Sequence, residues 1–176
     1  MVYISSIREL DDLNHIAKRY LSEWLKHQHD EGMRVFYSSF VSYSINERKE
    51  AIRQIEKYLE HASQRSSVTI SLKYNLLYYL IEEAGCFPDK AAEAKQKCDA
   101  LMSELEARKW RQFPKAMARD TKGYYLIIFG TDLSEIRDGI RICQKTRTKD
   151  SVARSYLEIH EAIGWRRYVT LDGDVF

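Results

Sequence analysis

The apolar positions repeat at a helical period over most of the chain. Ser6 and Glu9 form an S-x-x-E capping box, in which two side chains satisfy backbone N–H groups that a first helical turn leaves without partners. Behind it, Ile7, Leu10, Leu13, Ile16, Ala17, Tyr20, Leu21, Trp24 and Leu25 recur every three or four residues, the mark of an amphipathic helix. The spacing predicts one helix from residue 6 to about residue 29, ending before Gly32, with Leu10, Leu13, Ile16, Tyr20 and Trp24 buried. Residues 34–45 fit two templates. Phe36, Phe40 and Tyr43 form a helical stripe, while Val41, Tyr43 and Ile45 alternate with serines as a strand would. Ser44 and Glu47 repeat the capping box and predict a helix that turns Ala51, Ile52, Ile55, Tyr58, Leu59 and Ala62 inward. A further helix is predicted from about Ser67 to Ala84, closed by Gly85. Pro88 and Asp89 then open an Ala-, Glu-, Lys- and Leu-rich run of high helix propensity, which Pro114 stops.

The texture changes after Pro114. The run YYLIIF at 124–129, bounded by Gly123 and Gly130, reads as a strand buried on both faces. Residues 132–145 read as a helix with Leu133, Ile136, Ile140 and Cys143 inside. Residues 150–163 read as another, with Val152, Tyr156, Leu157, Ile159 and Ile163 inside and Gly164 as its stop. Tyr168–Leu171 reads as a second short strand before an Asp-Gly turn, and Val2–Ile4 as a candidate third. The expected fold is therefore α+β. A predominantly helical body of about four helices, residues 1–112, precedes a small strand–helix–helix–strand unit, residues 113–176, packed on it as one compact fold. The alternative is an all-α fold.

Composition narrows the class. Apolar residues make up 44% and charged residues 31%, with seven Gly and two Pro, which excludes a collagen, a disordered chain and a disulfide-dense miniprotein. The longest apolar runs are six residues, far below the ~20 a membrane helix needs, so no membrane association is expected. The opening MVYISSIRELDD lacks the basic-then-apolar layout of a secretion signal. Cys86, Cys98 and Cys143 are odd in number and form no CxxC pair. They are expected as free, mostly buried thiols of a cytoplasmic protein.

The net charge of +2 hides an asymmetry. Residues 1–106 carry 14 Lys/Arg against 17 Asp/Glu, and residues 107–176 carry 14 against 9. An electrostatic partner signal therefore lies in the last seventy residues. The segment RKWRQFPKAMARDTK holds Arg108, Lys109, Arg111, Lys115, Arg119 and Lys122 against Asp120, with Trp110 and Phe113 between them. Lys and Arg neutralise phosphates, and exposed rings stack on unpaired bases. The competing explanation is a helix C-terminus whose cations complement the macrodipole while the rings turn inward. A second cluster comprises Arg137, Arg141, Lys145, Arg147, Lys149 and Arg154, and a third Arg166 and Arg167. The expected nucleic-acid surface comprises Lys109, Trp110, Arg111, Lys115, Arg119, Arg166 and Arg167, on one contiguous face.

Other chemistry is thinner. His27 and His29, beside Asp30 and Glu31, point apart on a helix, and no metal site is assigned. Arg154 and His160 lie six apart on one predicted helix, and the segment RSYLEIH resembles the Arg–His motif of helical ribonucleases of the HEPN type. That resemblance implies an Arg holding a phosphate and a His moving a proton. The strands predicted around it do not suit an all-helical domain. The pairs Asp11–Asp12, Glu82–Glu83 and Asp172/Asp174 have no partner pattern. Gly130-Thr131-Asp132 lacks the glycines and Lys of a phosphate loop, and Thr131 or Asp132 is expected to cap the next helix. No catalytic residue and no cofactor is assigned. Twelve tyrosines make Tyr37, Tyr43 and Tyr78 candidates for a protein-binding surface, with Tyr124 expected in the core. The leading expectation is a small, cytoplasmic, non-enzymatic protein of the bacterial or phage accessory kind, whose basic C-terminal face contacts nucleic acid. The alternatives are a protein-binding inhibitor, immunity or adaptor protein, and a small nuclease.

Overall fold

A computed structural model describes residues 16, 19–63, 66–109 and 113–173, and every regular element among them is helical. α1 is helical over 19–26. It is followed by α2 (Glu31–Ser44), α3 (Arg48–Leu59), α4 (Ser67–Cys86), a 3-10 turn (Pro88–Lys90), α5 (Ala91–Ala107), α6 (Lys115–Phe129), α7 (Leu133–Lys145) and α8 (Ser151–Gly173). The α+β expectation is thus overturned in favour of the all-α alternative. None of the described helices is long and apolar enough to cross a membrane. The chain divides into two compact units, Met1–Tyr79 and Leu80–Phe176, with the boundary inside α4.

In the first unit, the ambiguous 34–45 segment is helical. Asp30 caps α2 by accepting the Met33 N–H at 2.9 Å, so Gly32 opens a helix and does not follow one. α2 and α3 run antiparallel, with Ser38 and Ser42 bonded to Gln54 and Gly32 against Tyr58. Asn46 takes the left-handed conformation in the turn between them, φ 66°, which Asn tolerates better than most residues. The expected Ser44–Glu47 box does not form. Ser44 Oγ donates instead to Phe40 O, and Glu47 is the N-cap but its side chain makes no capping hydrogen bond. Ala51 and Ile55 are buried, as the period required, and Tyr43 stacks on Tyr79 at 3.9 Å. The inward face expected for the first helix is not inward. Ile16, Tyr20 and Trp24 are 50, 74 and 44% exposed. Leu10, Leu13, the Ser6–Glu9 box and Val2–Ile4 lie outside the described residues.

In the second unit, α6, α7 and α8 pack on one another, and their glycines fix the register. Gly139 lies against Gly123 and Ile127, and Gly164 against Ile140 and Ile127. Gln144 bonds Glu161 and Arg137 bonds Tyr168. α7 therefore runs antiparallel to both α6 and α8. The run YYLIIF is not a strand but the last turns of α6, with Tyr124, Ile127, Ile128 and Phe129 buried. A continuous apolar run marks an element covered on several sides, and period alone does not separate strand from helix there. Tyr168–Leu171 is likewise not a strand but the end of α8, because Gly164 is a contact point inside that helix and not its stop. Gly85 is similarly inside α4, beside Ile128. Within α8, Leu157 is buried, whereas Val152, Tyr156 and Ile159 are exposed, contrary to the expected inner face.

The α6–α7 contact depends on the absence of a side chain. A Cβ on Gly139 would sit 2.6 Å from Gly123 O and 3.0 Å from the Ile127 backbone nitrogen. Both obstacles are backbone, so the helices themselves would have to part. Gly139→Ala should destabilise the unit by ~1–3 kcal/mol, although helix propensity alone would give a gain of ~1 kcal/mol. A urea-unfolding midpoint that rises in the variant would contradict this packing.

The thiols supply a second check. Cys86 is exposed, Cys98 and Cys143 are buried, and none of the three is in a disulfide. Burial pushes the thiols of Cys98 and Cys143 up to about 12, helped at Cys143 by the Asp120 and Glu161 carboxylates. The thiolate is the reactive form. A thiol–disulfide reagent at pH 8 should therefore titrate one cysteine quickly in the native chain and three after denaturation. A second fast thiol in the native protein would show that this core is open.

Candidate nucleic-acid interface

Helix capping and register bring one set of cations together. Asp132 caps α7 by accepting the Glu135 N–H at 2.9 Å, and the Glu135 carboxylate accepts from the Thr131 backbone. Asp150 caps α8 through the Ala153 N–H. α6 starts directly after Pro114, which presets the first turn. Since α6 and α8 run parallel and α7 antiparallel, the start of α6, the end of α7 and the start of α8 share one end of the unit. α5 lies antiparallel to α6, with Lys95 bonded to Tyr125 at 3.1 Å and Glu106 paired with Lys122 at 2.7 Å. The end of α5 therefore reaches the same level.

That end gathers Lys109, Lys115, Arg119, Lys145, Arg147, Lys149 and Arg154, all exposed. Lys109 follows α5 in a left-handed conformation, φ 54°. Among the described residues none of the seven forms an ion pair. Arg147 and Arg154 bond only to the carbonyls of Gln144 and Thr148. Most cations elsewhere in the unit are engaged locally, Arg166 being an exception. Lys95 pairs with Asp99, Lys97 with Glu93, Arg108 with Glu104 and Arg141 with Asp138. Arg137 bonds Tyr168 and lies 5.2 Å from its ring centroid. The Lys95–Asp99–Tyr125 cluster shows how thorough this pairing is. Burial pushes the Asp99 carboxyl up, but the Tyr125 hydroxyl and the Lys95 ammonium outweigh it and hold it below the usual range.

The residues expected to form one face divide. Lys109, Lys115 and Arg119 lie at the cationic end. Arg166 is exposed but sits toward the other end of α8, level with the close of α6. Arg167 is used inside the unit, where its guanidinium donates to Ile128 O and, at 3.1 Å, to Gly130 O. Those carbonyls belong to the last turn of α6, which has no further turn to satisfy them. Burial pulls the Arg167 pKa below its ordinary value. Trp110 and Arg111 lie outside the described residues. The α7–α8 loop cations, Lys145, Arg147, Lys149 and Arg154, were visible as a sequence cluster, but only the antiparallel register of α6 and α7 sets them beside Lys115 and Arg119.

His160 takes a different place from the one its resemblance to the HEPN motif implies. Its side chain is 1% exposed. Nδ1 lies 2.8 Å from Asp120 Oδ1, and the ring stacks on Tyr124 at 3.8 Å. A carboxyl oxygen accepts here, so Nδ1 carries the hydrogen. Six residues along a helix turn Arg154 about 120° away from His160, and Arg154 bonds the Thr148 carbonyl in the loop. The imidazole ties α8 to α6 and is not presented to a substrate beside Arg154. Among the described residues no group of three His, Cys, Asp or Glu side chains is placed to hold a metal ion. No protein-family model, curated protein or solved structure matches the chain.

Proposed function

We propose that the chain is a binding protein that holds nucleic acid at the cationic end of the α6–α7–α8 unit. The observation that supports this reading most is the contrast in pairing. Cations elsewhere in the unit are mostly matched to acids, carbonyls or rings, while seven at one end form no ion pair with a described residue. Unpaired Lys and Arg side chains gathered at one end repel one another unless a polyanion neutralises them. The partial positive charge at the N-termini of α6 and α8 is offset by the C-termini of α5 and α7 at the same end, so the positive potential there comes from the side chains. A phosphate backbone has the matching charge at repeated spacing, and its neutralisation releases condensed counterions. Of the acidic side chains there, Asp150 caps α8, Glu106 pairs with Lys122 and Glu161 accepts from Gln144 and Trp165, while Glu158 lies beside the cations. The test is fluorescence anisotropy with a labelled oligonucleotide at low salt, using the full chain. Affinity that falls linearly on a log–log plot against salt is expected. Folded protein that binds no oligonucleotide at low salt would refute the reading.

A second reading rests on a separate observation. In the first unit, Tyr20, Trp24, Tyr37 and Phe40 are large exposed rings, and Trp24 and Tyr37 meet edge to face at 4.8 Å. Exposed Tyr and Trp are enriched at protein interfaces. This surface supports a protein-docking role if the nucleic-acid test fails.

A further inference from the structure

Beside the cationic end, the close of α7 and the first turns of α8 line a half-open cavity of ≈ 390 Å³. Its volume falls within the roughly 300–1,000 Å³ of small-ligand sites. The side chains that give it chemical character are Gln144, Arg147, Arg154, Leu157, Glu158 and Glu161. They divide into two polarities. Arg147 and Arg154 each use one guanidinium nitrogen on a backbone carbonyl. An Arg carries five N–H donors, so the remainder are available to an anion. Glu161 is already engaged, accepting from Gln144 Nε2 at 2.8 Å and from Trp165 Nε1 at 3.3 Å. Glu158 has no hydrogen bond or ion pair with a described residue, although Arg154 is one turn before it on the same helix. Leu157, buried, supplies an apolar wall.

We infer that this cavity seats one unpaired nucleotide of a bound strand, with Arg147 and Arg154 on its phosphate and Glu158 accepting from the amino edge of its base. The inference rests on the nucleic-acid reading above and makes the partner single-stranded. A free phosphate alone would leave Glu158 without a role and repel it. A nucleotide carries both a phosphate and a base edge, which matches the two sides of the cavity. Cytosine offers an amino donor where thymine offers a carbonyl oxygen, so a carboxylate acceptor favours the first. In a duplex that base is stacked and paired, and must be extruded before it can enter.

The test uses the full chain at low salt and three labelled probes of equal length: oligodeoxycytidylate, oligothymidylate and a duplex. Both single strands should bind more tightly than the duplex. Oligodeoxycytidylate should bind more tightly than oligothymidylate by about fivefold or more. Glu158→Gln, at an exposed position, should bring the two single strands level while leaving the salt dependence unchanged, because the amide can both donate and accept. Duplex affinity equal to that of the single strands overturns the inference. So does equal affinity of the wild type for the two single strands, or a cytosine preference that survives Glu158→Gln. In each of those cases binding itself persists and the nucleic-acid reading stands. Absence of binding to all three probes overturns both.

Discussion

Asp120→Ala should lower the stability of the C-terminal unit by about 1–3 kcal/mol, the usual cost of leaving a buried hydrogen-bond donor without its acceptor. His160 and Asp120 are 1 and 9% exposed at the side chain and 2.8 Å apart. Loss of the carboxyl group leaves the Nδ1 hydrogen in a place where water does not replace its partner. Asp120→Asn keeps an acceptor oxygen and should cost less than the alanine variant. Urea titration followed by far-ultraviolet circular dichroism measures both. An Asp120→Ala variant as stable as the wild type would show that the pair holds nothing together. His160 would then be free for another role.

The second large effect concerns binding. Lys145→Glu, Arg147→Glu and Lys149→Glu combined should weaken oligonucleotide affinity more than tenfold at low salt. Each phosphate contact contributes about 0.7–0.9 to the slope of log affinity against log salt. Loss of three contacts should therefore flatten the slope by about two to three. All three side chains are exposed, so the fold should survive. Arg166→Glu is the matched control. It reverses another exposed cation that has no ion pair with a described residue, but one at the other end of α8. Its affinity and slope should match the wild type. Equal losses in the two variants would show that binding follows net charge and not the cationic end.

The helices of this protein were legible in its sequence to different degrees. α3 and α7 follow their apolar period and α5 its high helix propensity, and a cap at Thr131 or Asp132 was readable because a short polar side chain before an apolar stripe has few other roles. The segments misread as strands have different causes. YYLIIF lies in a helix covered on more than one side, where the polar positions that reveal a 3.6-residue period are missing. YVTL is a partly exposed helix end, with Val169 66% exposed, whose β-branched and aromatic residues carry strand propensity that the helix overrides. Gly85 and Gly164 were misread as helix stops because the sequence does not distinguish a left-handed terminus from a close helix contact. Only the neighbouring atoms, Ile140 and Ile127 around Gly164, make that distinction. The basic clusters were visible as composition, and their relation was not. Arg167 and Arg119 look alike in the sequence, yet one satisfies the last carbonyls of α6 and the other faces solvent. That difference arises from helix register, a non-local property. The Arg154–His160 spacing shows the converse. A motif-like separation on one helix places the two side chains on different faces, and burial against Asp120 gives His160 a packing role.

Photocross-linking maps the proposed surface most directly. A single-stranded oligonucleotide carrying photoactivatable thymidines is bound to the full chain at low salt and irradiated, and the attached peptides are identified by mass spectrometry. Attachment within residues 113–119 and 144–158, the start of α6 and the α7–α8 junction, is the expected result. Attachment confined to α1–α3, or to the Arg166 end of α8, would contradict an interface at the cationic end of the C-terminal unit.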